Sequence, residues 1–225
     1  MPKIQLTKLQ QDILSFFGRN SFGRNFYWTG GTALSYQYFH HRDSVDLDFF
    51  SDDLFADDEY LIFIKDLKKA LGLEKVTLTK QFNRRLYLAS RQAENVKLEQ
   101  VFFPFSAIEK RGNMPEFSLA IDSLTDVMVN KTLSIYQRNE VKDIFDLYFY
   151  FNQRPKYNLN RLIALVEQKF GVAIEPTLLL SKINELAQNI DLLKPLLFNP
   201  EKNLTQKVKS FFQNYFNSLA KNKLA

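Results

Sequence analysis

The sequence predicts an α+β protein, with a mixed α/β part at the N-terminal side and a helical part at the C-terminal side. Residues 74–103 hold three β-like runs separated by turns, which is typical of neighbouring antiparallel strands. Before them, helix-like and strand-like segments alternate, and from about residue 122 onward the periodicity is helical. The change in pattern lies near 115–122. We therefore expect two domains, residues 1–120 and residues 121–225.

Composition excludes several classes of protein. The chain has 225 residues, of which 45% are hydrophobic, so it can bury a real core. It contains no cysteine, which excludes a disulfide framework and any cysteine-based metal site. The first residues have no secretory pattern, and no apolar run reaches the ~18 residues of a membrane span. We expect a cytoplasmic protein with no membrane partner.

The net charge of +5 conceals a strong asymmetry. Eight of the 25 acidic residues lie in 43–59, which has no basic residue, and this leaves 17 acids against 30 bases elsewhere. A basic body around an acidic focus suits a protein that binds a polyanion and uses a metal ion. An ordinary solvated surface would give the same counts.

The N-terminal half reads as helix, strand, turn, helix and strand. Apolar spacing predicts a helix over 5–17, and an aromatic run predicts a short strand over 26–29. Gly30-Gly31 marks a tight turn, and Thr32 is a candidate cap for a helix that runs to about His40. Acids in the first turn and lysines in the last predict a further helix over 57–71.

The remaining elements are three strands followed by five helices. The strands are expected at 74–81, 83–90 and 94–103. Asp122 or Ser123 is a candidate cap for the first of the helices. The helices are expected over the segments 123–138, 140–153, 158–170, 175–190 and 201–222.

Two aspartates separated by one residue form the strongest candidate site. If Asp46 and Asp48 lie on a strand, both carboxylates face the same way. Two such charges repel each other unless a cation lies between them, and Mg²⁺ favours one or two carboxylates together with substrate phosphates. Glu99, on a later strand, has the facing of a third carboxylate. Solvated acids at strand ends are the alternative.

Gly30 and Gly31 precede the helix that leads to these aspartates. Glycines at a helix start leave backbone N–H groups open to an anion such as a triphosphate, although most Gly-Gly pairs are only turns. Arg42 could contact a phosphate or pair with Asp43. We interpret the neighbouring His40 and His41 as a solvated helix end, because adjacent side chains diverge.

Charges also interrupt the apolar C-terminal helices. Lys131 lies in the middle of an otherwise apolar helix. Lys142, Asp143 and Asp146 lie within one turn of an aromatic helix, and Asp143 and Asp146 project from neighbouring positions. Lys131 either snorkels toward solvent or faces a site. The three charges of the second helix either face a site or form surface salt bridges.

Four motifs together resemble the AbiEii-type nucleotidyltransferase toxins of the DNA polymerase β-like nucleotidyltransferase superfamily. GGTALSYQYFHHRDSVDLDFFS (30–51) resembles the first family motif almost residue for residue, and VKLEQVFFPF (96–105) resembles the strand with the third acidic position. That position is more often aspartate in the family and is Glu99 here. SLTDVMVNKTLSIYQR (123–138) and VKDIFDLYFY (141–150) resemble the lysine helix and the Lys-Asp-x-x-Asp-Leu-Tyr motif.

The resemblance implies a polymerase β-like core with a mixed sheet, followed by a helical bundle that closes the active-site cleft. It implies that an NTP is held by Gly30, Gly31 and Thr32, with Arg42 and Ser44 nearby. Mg²⁺ would bind Asp46, Asp48 and Glu99. The resemblance further assigns catalytic roles to Lys131 and Asp143, with Lys142 and Asp146 in support.

The implied function is Mg²⁺-dependent transfer of a nucleotide from an NTP to an RNA such as the 3′ end of tRNA, by the toxin of a toxin–antitoxin system. A cognate antitoxin is then an expected partner, and we expect a monomer. Two alternatives stay open at this point. One is a non-catalytic nucleotide- or RNA-binding relative, and the other is a nucleotidyltransferase that modifies a protein or a small molecule.

Overall fold

The computed structural model describes residues 4–154, 158–197 and 202–224. It divides into two units, Met1–Leu124 and Thr125–Ala225. No helix among the described residues is both long and apolar enough to cross a bilayer.

The described residues of the first unit form seven strands, three α- or π-helical segments and a short 3₁₀ segment, Gly23–Asn25. Helix α1 (Lys8–Arg19) leads to β1 (Tyr27–Thr29), to α2 (Gly30–Ala33) with its π-helical continuation Leu34–Phe39, and to β2 (Leu47–Ser51). The rest of the unit consists of α3 (Asp57–Leu71), β3 (Lys75–Gln81), β4 (Arg84–Arg91), β5 (Glu94–Phe102), β6 (Gly112–Met114) and β7 (Leu119–Ile121).

All seven strands form one mixed sheet in the order β3-β4-β5-β2-β1-β7-β6. β2 pairs in parallel with β5, and β1 pairs in parallel with β7. The other neighbours are antiparallel. The expected α+β class with a mixed sheet is therefore confirmed. β1 and β2 are adjacent at the centre of the sheet, so the segment that joins them lies at a central position.

Helices α1 and α3 and strands β1 to β5 lie close to where the sequence pattern predicts them. Strands β6 and β7 were not predicted, and the expected helix start at the glycine turn is wrong. The helical segment begins at Gly30, after the extended residue Thr29, so Thr32 is not its cap. The segment then widens into a π-helix, in which the His40 N–H donates to the Ser35 carbonyl (2.8 Å). Such i→i+5 turns are rare and recur at functional sites.

Helix α1 packs on the sheet through a face of large apolar residues. Leu9, Ile13, Leu14 and Phe17 of this helix are completely buried. The ring of Phe17 stacks on that of Phe49 from β2, with centroids 3.6 Å apart and planes 6° from parallel. Because Phe49 directly follows Asp48, this contact holds the second aspartate in place from behind the sheet.

The second unit is helical. Its elements are α4 (Leu124–Gln137), α5 (Val141–Gln153), α6 (Leu159–Phe170), α7 (Pro176–Gln188), a 3₁₀ segment (Ile190–Leu196) and α8 (Leu204–Leu224). The five predicted helices are thus present. Residue 201, the expected start of the last one, lies outside the described residues.

A buried ion pair links two helices of this unit. Lys169 Nζ of α6 lies 2.7 Å from Asp126 Oδ1 of α4, and both side chains are almost fully removed from solvent. Charges buried so deeply are tolerated because each offsets the other, and the loss of one leaves the other without its counter-ion. The sequence pattern does not reveal this pair, because its partners are 43 residues apart.

Lys169→Met should lower the free energy of unfolding by about 3–5 kcal/mol, because it leaves the Asp126 carboxylate buried without its cation. Urea unfolding followed by circular dichroism measures the change. Lys194→Met is the control, since the Lys194 side chain is 65% exposed beside Asp191 and should change stability by less than about 1 kcal/mol. Equal losses for the two variants would contradict the account.

Candidate functional site

The glycine turn and the second aspartate are in direct contact. Gly30 has φ +78°, a conformation that residues with a β-carbon rarely adopt. A β-carbon at this position would also lie 1.9 Å from Asp48 Oδ2. β1 and β2 bring the two together, since Thr29 is the register partner of Asp48. Only glycine therefore allows the backbone to approach this carboxylate so closely.

The segment between the π-helix and β2 begins with His40, His41 and Arg42, which the sequence indicates as site residues or as a solvated helix end. His40 ends the π-helix in the left-handed region, with φ 51°. The chain then turns inward, and His41 and Arg42 are only 4% and 2% exposed. The interpretation of the histidines as a solvated helix end is therefore wrong for His41, which packs edge-on against Phe39.

The Arg42 guanidinium lies against the second glycine of the turn. A β-carbon at Gly31 would lie 2.9 Å from Arg42 Nη2 and 3.1 Å from Ser44 Oγ. Arg42 Nη1 also donates to the carbonyl of Asp43 (3.1 Å). The contact between Arg42 and Asp43 is therefore made with the backbone of Asp43. A buried cation at a glycine turn provides a positive environment for an anion that approaches the turn.

Thr32 and Gln10 fix the residues that lead into β2. The buried Thr32 hydroxyl donates to the carbonyl of Asp46 and lies 2.8 Å from Ser44 Oγ. The Gln10 amide donates to the carbonyl of Val45 (3.1 Å) and accepts from the N–H of Thr7 (2.8 Å). Thr32 therefore positions the aspartate segment, and its hydroxyl is already engaged within the protein.

The acidic residues lie next to one another across the sheet. Asp46 and Asp48 are half-buried and alternate with the buried Leu47 and Phe49, as expected for residues on one face. Glu99 of β5 is the parallel register partner of Asp48, so the predicted third carboxylate is on the neighbouring strand at the same level.

Basic side chains pair with Glu99 and with Asp46. Arg84 Nε lies 2.7 Å from Glu99 Oε1, and Lys97 Nζ lies 3.4 Å from Asp46 Oδ2. No group of three or more acidic or histidine side chains among the described residues is arranged to hold a metal ion. The Asp46–Asp48 pair fits the one or two carboxylates that Mg²⁺ takes from a protein, whereas Glu99 would first have to leave Arg84.

Asp122 extends this row of polar residues on the other side of Asp48. It is 1% exposed, and its carboxylate accepts from the Thr29 hydroxyl (3.0 Å). The Tyr38 hydroxyl donates to the Asp122 carbonyl (2.7 Å). Burial, together with the charge of Asp122, raises the pKa of Tyr38 to about 12, so this hydroxyl keeps its proton at neutral pH. Asp122 directly follows β7, and its N–H donates to the Trp28 carbonyl of β1 (2.9 Å).

The predicted charged residues of the second unit also form a cluster. Lys131 Nζ lies 2.7 Å from both Asp143 Oδ1 and Asp146 Oδ2, and Arg138 Nη2 lies 3.1 Å from Asp143 Oδ2. Asp143 and Asp146 are fully buried, and Lys131 is nearly so. These are buried salt bridges, so the alternative of surface salt bridging is wrong for them.

Lys142 does not belong to the cluster. Its ammonium group lies 3.8 Å from Glu140, and 38% of its side chain is exposed. The helical turn that directs Asp143 and Asp146 toward Lys131 places Lys142 on a different side of α5.

Sequence reasoning missed Gln10, Thr29, Asp122, Arg84 and Lys97. For Gln10 there was a local signal, since Thr7 and Gln10 have the spacing of a capping box, and α1 does have one. The contribution of the other four depends on strand register, which places Arg84 and Lys97 beside Glu99 and Asp46. The one-dimensional pattern does not contain that information.

Gly30→Ala tests the contact between the turn and Asp48. We expect it to cost about 1–3 kcal/mol more unfolding free energy than Gly72→Ala in urea denaturation. Both glycines have positive φ, but a β-carbon at Gly72 meets nothing within 4 Å, so this control isolates the clash from the backbone strain. Equal losses of unfolding free energy in the two variants would show that the Asp48 side chain moves away from the new β-carbon without cost.

A known protein family and two solved structures are similar to this chain. A family model described as the nucleotidyl transferase AbiEii toxin of a type IV toxin–antitoxin system matches residues 12–221. No curated protein sequence matches the chain.

Two solved structures from Helicobacter pylori have the same fold. One, assigned as a nucleotidyltransferase, is 17% identical with a TM-score of 0.61, and the alignment covers 95% of this chain and 94% of that one. The other, JHP933, is 16% identical with a TM-score of 0.57, and the alignment covers 97% and 100% of the two chains. At such low identity the likeness shows a shared fold only.

The family match spans nearly the whole chain, including the glycine turn, the aspartate strand and the helical unit. The chain therefore belongs to the AbiEii family of nucleotidyltransferase toxins.

Proposed function

We propose that this chain transfers a nucleoside monophosphate from an NTP to a hydroxyl of an RNA acceptor, such as the 3′ end of tRNA, in a reaction that depends on Mg²⁺. The observation that carries the proposal is the contact between Gly30 and Asp48. It places a stretch of backbone that no side chain covers directly beside a carboxylate. A metal-bound triphosphate needs both features at one point.

Three elements support binding of the triphosphate at the turn. The N–H groups of Gly30 and Gly31 are in the first helical turn, where the helix supplies no acceptor. Neither glycine has a side chain that would sterically block a phosphate from these N–H groups. The buried Arg42 guanidinium lies against Gly31 and favours negative charge there. Thr32 and Ser44 fix this arrangement from inside the protein.

Asp46 and Asp48 would hold the Mg²⁺, which neutralises phosphate charge and favours in-line attack on the α-phosphorus. We infer that Glu99, beside Asp48, accepts the proton of the acceptor hydroxyl. That hydroxyl oxygen bonds to the α-phosphorus, the α–β phosphoanhydride bond breaks, and pyrophosphate leaves. Glutamate has the acid–base chemistry of the more usual aspartate and a longer reach.

An RNA acceptor agrees with the charge distribution. Outside 43–59 the chain has 30 bases against 17 acids, which favours a polyanion. A protein or small-molecule acceptor is the competing possibility, and the acceptor that becomes labelled separates the two.

Several expectations stay predictions. Lys131, Lys142, Asp143 and Asp146 are expected to act on the nucleotide, and the helical unit is expected to close the cleft. The monomeric state and the cytoplasmic location are also predictions. An antitoxin partner is expected from the family, and its identity and mode of binding are open to experiment.

Asp48→Ala should reduce transfer of label from [α-³²P]NTP to total tRNA by about a thousandfold, because it removes a metal ligand from the reacting centre. All four NTPs are tested with Mg²⁺. Asp58→Ala is the control, since Asp58 is an exposed acid in the first turn of α3. The same Asp48 substitution should relieve growth arrest on expression. No transfer to tRNA with any NTP, or full activity in Asp48→Ala, would contradict the proposal.

Arg84→Gln should tighten binding of Mn²⁺, used as a probe for Mg²⁺, by about tenfold, because the guanidinium on Glu99 repels a cation at the row of carboxylates. The electron paramagnetic resonance signal of free Mn²⁺ measures the affinity without turnover. Arg91→Gln is the control, since Arg91 lies on the same strand but pairs with Asp12. The same affinity in both variants would mean that Arg84 does not compete with the metal.

A further inference from the structure

The turn between β3 and β4 presents an aromatic ring to solvent. The two strands pair from Lys75–Ser90 to Gln81–Arg84, so Phe82 and Asn83 form a two-residue tip. The Phe82 side chain is 99% exposed, the highest value among the exposed large hydrophobic residues that the structure describes. Nothing in the packing of the sheet accounts for phenylalanine here, and turn chemistry favours Gly, Asn or Asp at such positions.

The backbone of this tip is fixed although the ring is exposed. Arg85 Nη1 donates to the Phe82 carbonyl (3.2 Å), and Arg85 is itself held by Asp57, with Nη2 2.5 Å from Oδ1. Asn83 exchanges two hydrogen bonds with Phe102 at the end of β5, at 2.9 and 3.0 Å. The ring therefore projects from a rigid support, so a ligand that stacks on it does not have to order a loop.

The tip also adjoins the row of carboxylates. Residues 80–85 contain three bases and no acid, and two of these bases, Lys80 and Arg85, pair with Asp57. Arg84, two residues from Phe82, contacts Glu99, which is the register partner of Asp48.

The charge on this part of the sheet depends on the metal. Arg84 pairs with Glu99 and Lys97 pairs with Asp46. A divalent cation on the carboxylates would add positive charge to this part of the sheet. The surface around Arg84 would then attract an anion when the metal is in place.

We propose that the hairpin tip binds the single-stranded end of the RNA acceptor, with a base stacked on Phe82 and an adjacent phosphate on Arg84. This inference rests on the proposed function, and it adds how the acceptor is held. An exposed ring beside cations is the combination that binds single strands, because every base offers a face to stack on. Contact with Arg84 would also draw its guanidinium from Glu99, which leaves that carboxylate available to accept the proton of the acceptor hydroxyl.

Phe82→Ala tests the proposal. We expect the Kd for fluorescently labelled total tRNA and the KM for tRNA to rise by about tenfold, with kcat and the KM for NTP unchanged. Phe82→Trp should restore both to within about twofold, because indole also stacks on bases. Leu192→Ala is the matched control, since Leu192 is a 72% exposed hydrophobic residue of the helical unit, and this variant should behave as the wild type.

The outcomes separate this inference from the proposed function. Transfer to tRNA by the wild type, with Kd and KM unchanged in Phe82→Ala, overturns the inference alone. Transfer by the wild type only to a protein or small molecule overturns the proposed function and the inference together. If Phe82→Ala abolishes neutralisation by the co-expressed antitoxin and leaves the KM for tRNA unchanged, the tip is a protein-binding site and the inference is wrong.

Discussion

The approach of the Gly30 backbone to the Asp48 carboxylate constrains much of the N-terminal unit. It needs positive φ at Gly30, no side chain there, and a β1–β2 register that places Thr29 opposite Asp48. The register in turn depends on the 17-residue connection between the strands. That connection is shortened by a π-helical turn, a left-handed His40 and a buried Arg42. Each of these features would be costly in an ordinary connection, and together they produce one contact.

Electrostatic balance is the second constraint, and the two units meet it differently. In the helical unit, Lys169 and Asp126 form one pair that is removed from water. The buried Asp143 and Asp146 share Lys131, and Arg138 is the second cation, so the charges are matched within the protein. In the sheet, the carboxylates are only partly buried, and their basic partners are about half exposed. Such pairs are weak and exchangeable. The sheet can therefore give up its own partners in favour of a metal and phosphates, whereas the helical clusters are better suited to holding a structure.

Much of the fold follows from local pattern. Alternation of apolar residues predicts β3, β4 and β5, and charge placement predicts α3, because strand and helix periodicity are set over a few residues. The i, i+2 spacing of Asp46 and Asp48 and the facing of Glu99 were predictable for the same reason. The short strands β6 and β7 and the π-helix were not, because their hydrogen bonds depend on distant partners. The contact of Arg84 with Glu99 depends on strand register. The burial of His41 depends on the left-handed turn at His40, which the residue types at these positions do not predict.

A crystal structure of the protein soaked with Mn²⁺ and a non-hydrolysable NTP tests the central claim most directly. Anomalous scattering at the manganese edge locates the metal independently of the refined coordinates. We predict one strong peak within coordination distance of Asp46 and Asp48, with the triphosphate against the backbone of Gly30 and Gly31. A metal and nucleotide bound elsewhere, with Lys97 still paired with Asp46, would contradict the account.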